Sequence, residues 1–162
     1  MINLSLCPYA SLPYRSGRVR LVVCGSDTEE EYLATIKSEL ERLLEEPDKI
    51  ETTLIAAEKV LGDFLDFNDF LSAVEDLLQR DDLALHFQMA SFHPQYQFAG
   101  VEEADPGNYS NRAPYPVVQW LRTETVAKAV DSSDTLAIPQ ANIKKLQSME
   151  LSELRLLFPW VK

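Results

Sequence analysis

The run Arg18-Val19-Arg20-Leu21-Val22-Val23-Cys24-Gly25, β-branched, short and closed by glycine, passes directly into a helical pattern, and this junction most narrows the folds open to the chain. Ser26 and Glu29 have capping-box spacing and the first turn is acidic. Leu33, Ile36, Leu40, Leu43 and Leu44 then recur at helical spacing up to Pro47. Thr52-Thr53-Leu54-Ile55-Ala56 is a second short strand. Phe67, Phe70, Leu71, Val74, Leu77 and Leu78 trace another helical face behind Asp66 and Asn68 as candidate caps, and Leu83 to Phe92 reads as a third, largely buried strand. Strand connections that run through helices favour parallel neighbours. The expectation is therefore an α/β fold in a single domain over 1–162, with a mixed or mostly parallel sheet of at least three strands, 18–25, 51–57 and 83–92. Helices are expected near 27–46, 67–80 and 115–130, and the C-terminal third is expected to be helical, with Pro114 or Pro116 opening the helix that holds Val117 to Leu121. Asp131-Ser132-Ser133-Asp134 reads as a loop between helices.

No apolar run approaches the roughly 20 residues of a membrane helix, and Met1 to Pro8 lacks the basic and apolar regions of a secretory signal. A cytoplasmic location is expected, with Cys7 and Cys24 as unpaired thiols and Cys7 mostly buried. The net charge of -11 repels nucleic-acid phosphates and anionic lipid headgroups, so neither nucleic acid nor a membrane is an expected partner. Much of that charge falls on solvated helix faces such as Glu29-Glu30-Glu31 and Glu39, Glu41, Glu45, Glu46, where it serves solubility. Oligomeric state is left open.

The segment from Phe92 to Pro116 does not behave as filler. It is too long for an ordinary connection, and its five aromatic residues, Phe92, Tyr96, Phe98, Tyr109 and Tyr115, give it material to pack with. One imidazole, one guanidinium, two Asn and two Gln amides and the phenols form a set able to hold an anion. The segment also leaves the C-terminal end of a buried strand, where open α/β sheets place ligands. The alternative is structural: Asn108 and Asn111 make turns, Arg112 pairs with Asp105 or another carboxylate, and His93 caps backbone groups before Pro94.

The phrases Asn3-Leu4-Ser5-Leu6-Cys7-Pro8-Tyr9-Ala10, Phe92-His93-Pro94-Gln95-Tyr96-Gln97-Phe98 and Asn108-Tyr109-Ser110-Asn111-Arg112-Ala113-Pro114-Tyr115-Pro116 resemble a bacterial family known as domain of unknown function 1415. The strand-helix order between them fits as well, so the resemblance covers nearly the whole chain. That family's activity is unassigned, so the resemblance implies a motif and no mechanism. The chain departs from the pattern at Ser5, which interrupts the Asn-Leu-Cys-Pro phrase, and an N-terminal helix that family members carry is expected to be missing.

Other chemistry is thinly represented. Ala10 stands where a dithiol motif opened by Cys7 would need its second cysteine; a lone Cys7 becomes a nucleophile only if His93 lowers its pKa, and burial as a small apolar residue is the plainer reading. His86 and His93 are an odd number apart on an extended segment, on opposite faces, and no metal site is expected. Asp63, Asp66 and Asp69 have helical spacing that suits capping and solvation. No glycine-rich phosphate loop and no GxSxG elbow occurs, and no cofactor is implied. Two functions follow. In the first, the protein is an enzyme or ligand-processing domain for a small polar anion, with His93 as acid or base and Arg112, Asn111, Asn108, Tyr96 and Tyr109 as binding residues. In the second, the aromatic-rich 92–116 segment is a non-catalytic protein-binding or self-assembly surface, which exposure of Tyr96, Tyr109, Tyr115 and Trp120 would favour.

Overall fold

The computed structural model describes residues 4, 6, 7, 9–80, 82–132 and 138–161; Asn3, Ser5 and Pro8 of the first motif, and Ser133 and Asp134 of the expected inter-helix loop, lie outside them, while Asp131 and Ser132 of that expected loop are helical. In chain order the elements are α1 (Ser11–Arg15), β1 (Val19–Cys24), α2 (Glu29–Glu45), β2 (Thr52–Ala57), α3 (Phe64–Arg80), β3 (Phe87–Phe92), β4 (Val117–Arg122), α4 (Thr123–Ser132), α5 (Ile138–Gln147) and α6 (Leu151–Leu157). The α/β layout and helical C-terminal region agree with the sequence pattern. Three local details shift. The cap of α2 is Thr28, whose hydroxyl accepts from Glu31 N, while the Ser26 hydroxyl bonds Cys24 Sγ at 2.9 Å. Helix α3 starts at Phe64, where the Asp63 carboxylate accepts from Leu65 N at 2.8 Å. Leu83–Leu85 forms a 3-10 turn, which shortens the third strand.

One expectation is corrected. Val117 to Arg122, read as the start of a helix over 115–130, is a strand, and the helix begins only at Thr123. The run is short, β-branched and aromatic and follows a proline, so its sequence suits either state. Pairing decides, because β4 lies between β2 and β3 and is antiparallel to both, while β1 and β2 are parallel. It follows that β1, β2 and β3 share one direction, with β4 inserted against them.

Alternation along the strands sorts residues between two faces. One face carries Ile55, Phe87, Val118 and Trp120, covered by Tyr32, Ile36, Leu40 and Leu43 of α2 and Phe67, Phe70, Val74 and Leu78 of α3. Trp120 Nε1 donates to Ile36 O at 3.2 Å and Tyr32 OH donates to Ile55 O at 2.8 Å, so the polar edges of both buried rings are satisfied. Arg20 Nε and Nη2 grip the buried Glu39 carboxylate at 2.6 and 3.0 Å, tying β1 to α2. The opposite face carries Leu54, Ala56, Ala90, Phe92 and Val117. Near them a second cluster forms from Leu6, Leu146, Leu154 and Phe158. Cover is incomplete on this face: Leu21, beside Leu54, is 68% exposed, and Val23, beside Ala56, is 63% exposed.

Candidate functional site

The connection from β3 to β4 leaves the edge of the sheet at which β1, β2 and β3 end, and its two legs stay paired beyond the strands. His93 N donates to Asn111 O at 3.1 Å and Ala113 N to His93 O at 3.4 Å. Ordering so long a loop needs compensating contacts, and its polar side chains provide them. Asn108 is fully buried; its Oδ1 accepts from Phe98 N at 3.0 Å, and its Nδ2 donates to Glu102 O and Glu103 O at 2.8 and 3.2 Å. Asn111 Nδ2 donates to Ser91 O at 3.1 Å, and its Oδ1 accepts from Ser110 Oγ at 3.0 Å.

His93 has no exposed surface, and its ring packs on Phe64 and Phe67 of α3, with centroids 5.4 and 5.2 Å away. Nδ1 accepts from Gln95 N at 3.0 Å, so the proton resides on Nε2, which donates to Leu61 O at 3.0 Å. Leu61 holds a left-handed backbone conformation at φ 61°, unfavourable for a leucine, and the imidazole bond helps to fix it. Burial pushes the His93 pKa down. Both nitrogens are thus engaged in protein contacts, and the ring acts as a neutral brace.

Arg112 is 9% exposed, and its guanidinium stands 5.1 Å from the centroid of the Tyr109 ring. Nε donates to Tyr96 O at 3.2 Å and Nη2 to Glu103 O at 2.8 Å. The expected ion pair with Asp105 does not form: the Asp105 carboxylate accepts from Gly107 N and Gln147 Nε2, and Arg112 meets no carboxylate among the described residues. Tyr96 packs on Phe64 and Phe98, and burial raises its pKa. Tyr109 meets Phe158 edge-on.

Arg112 lines a cavity of about 500 Å3 on the incompletely covered face of the sheet. Its floor is Leu54, Phe92 and Val117, one wall is Ala113 and Pro114, another is Leu157, Phe158 and Trp160, and Leu4 and Tyr14 complete the lining. Among the described residues, Arg112 is the one charged residue in this lining. Trp160 Nε1 is buried and finds no acceptor among the described residues. The sequence placed Arg112, Tyr96, Tyr109, Asn108, Asn111 and His93 in one segment. Of these, the structure brings Arg112 to the cavity, whereas the other five side chains build the loop behind it and are not in the lining. The apolar lining residues escaped sequence reasoning, because β2, β3, β4 and the C-terminal segment meet only in three dimensions.

Cys7 and Cys24 are both free, with Cys24 buried and Cys7 only half-buried, less enclosed than expected. Burial pushes the Cys7 thiol up, and the His93 nitrogens bond Gln95 and Leu61 instead of Cys7, so the geometry offers no thiolate activation there. Cys24 is lowered overall: its Ser26 and Thr35 hydroxyl contacts outweigh burial, the largest influence and an opposing one. His86 is exposed. Among the described residues no three His, Cys, Asp or Glu side chains converge as metal ligands, and no helix is long and apolar enough to cross a membrane. Of the four aromatics whose exposure would favour a docking surface, Tyr115 is 46% exposed, Tyr96 and Tyr109 are half-buried, and Trp120 is fully buried.

Neither a curated protein nor a solved structure matches the chain. The family model described as protein of unknown function (DUF1415) matches residues 1–156, so the chain belongs to the DUF1415 family.

Proposed function

We propose that this protein is a ligand-handling domain that captures a small anionic molecule on Arg112. One observation carries the reading: Arg112, a residue nine-tenths buried and without a carboxylate partner among the described residues, lines a cavity large enough for a metabolite. A buried charge with no counter-charge is costly, and an anion in the cavity would relieve that cost. Of the five guanidinium N–H donors, two bond carbonyls, leaving three without a partner among the described residues. Capture is favoured over turnover, since among the described residues the lining has no carboxylate, imidazole or thiol to move a proton or attack a bond. His93 supports the site from behind through Leu61 and Gln95.

Thermal unfolding in a series of sodium carboxylates and phosphate, at matched ionic strength, tests the reading. The wild type gains stability with the anion, by about 1.4 kcal/mol when the anion is tenfold above its Kd. Arg112→Gln folds and loses that response. If the wild type is indifferent to every anion while Arg112→Gln simply unfolds, Arg112 is a strut and the reading falls.

A further inference from the structure

We infer that the ligand taken at Arg112 is a monocarboxylate with an apolar body, held by its head on the guanidinium and laid by its tail along the uncovered sheet face. This rests on the anion-capture reading and adds the ligand's class. Charge sets the head: among the described residues the lining carries one cation and no anion, so a single negative charge is matched and a second would be left unpaired. Nε and Nη2 each already bond a carbonyl, which fixes the guanidinium plane; Nη1 bonds nothing among the described residues, and Nη2 keeps one free N–H. A carboxylate fits end-on across those two nitrogens.

Apart from Tyr14 and Trp160, the rest of the lining disfavours a polar body. Leu54, Phe92, Val117, Leu157 and Phe158 offer no hydrogen bond, so hydroxyls or a phosphate chain would be desolvated without partners. At roughly 30 Å3 for each water-sized atom, 500 Å3 holds a body of about 15 non-hydrogen atoms. Beyond Leu54 and Ala56 the same face continues onto Leu21 and Val23, whose large exposure leaves an apolar strip that a tail would cover. Head and strip lie on one face, one cationic and one apolar, which is the complement of an alkyl carboxylate.

The test titrates the full chain with propionate, decanoate and decanol below their aggregation concentrations, by calorimetry and by fluorescence of Trp160, a lining residue; Trp120 lies buried on the opposite face. Decanoate is expected to bind about tenfold or more tighter than both propionate and decanol. Arg112→Gln abolishes its advantage over decanol. Leu157→Ser, at a lining position 41% exposed and so tolerant of change, weakens decanoate several-fold and leaves propionate as it was. Equal binding of propionate and decanoate, both lost in Arg112→Gln, overturns the apolar body while the anion reading stands. Decanol binding as tightly as decanoate, with Arg112→Gln or Arg112→Lys without effect, overturns both; no binding of any of the three overturns the monocarboxylate class, and the phosphate arm of the thermal series then decides the anion reading. The wild-type comparison decides even where an Arg112 variant fails to fold.

Discussion

Asn108 is the side chain on which the long connection most depends, and replacing it with alanine tests whether the loop is a built scaffold. Asn108→Ala removes three hydrogen bonds at once: from Phe98 N, and to the carbonyls of Glu102 and Glu103. At about 1 kcal/mol net for each bond, the loss is about 3 kcal/mol, tempered because the backbone near exposed Glu102 and Glu103 can take up water. For a domain of this size that is a fall in Tm of roughly 6–12 °C. Asn108→Asp sharpens the test, since the retained oxygen still accepts from Phe98 N while the second faces two carbonyl oxygens. At neutral pH it should be less stable than Asn108→Ala. Its new carboxyl has a folded pKa raised by those carbonyls, so its deficit is full above that value and shrinks as pH falls and the acid donates to one of them. Urea unfolding followed by circular dichroism at pH 7.5 and pH 5 measures both effects, provided the m-value is constant. Because Glu103 O also holds Arg112 Nη2, both variants should weaken anion stabilisation. A loss below about 0.5 kcal/mol in Asn108→Ala, or an Asn108→Asp deficit unchanged by pH, would refute the bonding scheme.

His93 adds a pH signature: burial depresses its folded pKa below the ordinary 6.5, so its contribution is complete above 6.5 and is lost as pH falls toward the folded value. Wild type should therefore lose more stability than His93→Gln between pH 7 and 5, and parallel slopes would contradict the neutral-brace assignment. Trp120→Phe leaves a small void in the fully buried β4 core and removes the bond to Ile36 O, a cost of about 2 kcal/mol by thermal denaturation; a neutral result would argue against β4 as an inner strand. Glu39→Gln removes the carboxylate gripped by Arg20, and because the Arg20 side chain is 38% exposed the loss should be about 1 kcal/mol and shrink in high salt. A salt-independent loss would mean that the pair is fully desolvated.

The sequence alone determined β1, α2, β2 and α3, because each buries one face and burial leaves a one-dimensional period of two or of 3.6 that can be read from Val19 to Leu78. It also marked the 92–116 segment as ordered, from its aromatic residues. Only the tertiary structure decided that Val117 to Arg122 is a strand, since a short apolar run after a proline suits both states and the choice lies in its pairing with Thr52 to Ala56 and Phe87 to Phe92. His93 shows the same limit at the level of chemistry: an imidazole in a motif suggests proton transfer, but burial between Phe64 and Phe67 makes it a brace. For Arg112 the sequence supplied the charge, and even a candidate carboxylate at Asp105. Its lack of a carboxylate partner among the described residues and the apolar cavity beside it arise where β2, β3, β4 and the C-terminal segment converge, and such long-range neighbours leave no local period for a sequence to display.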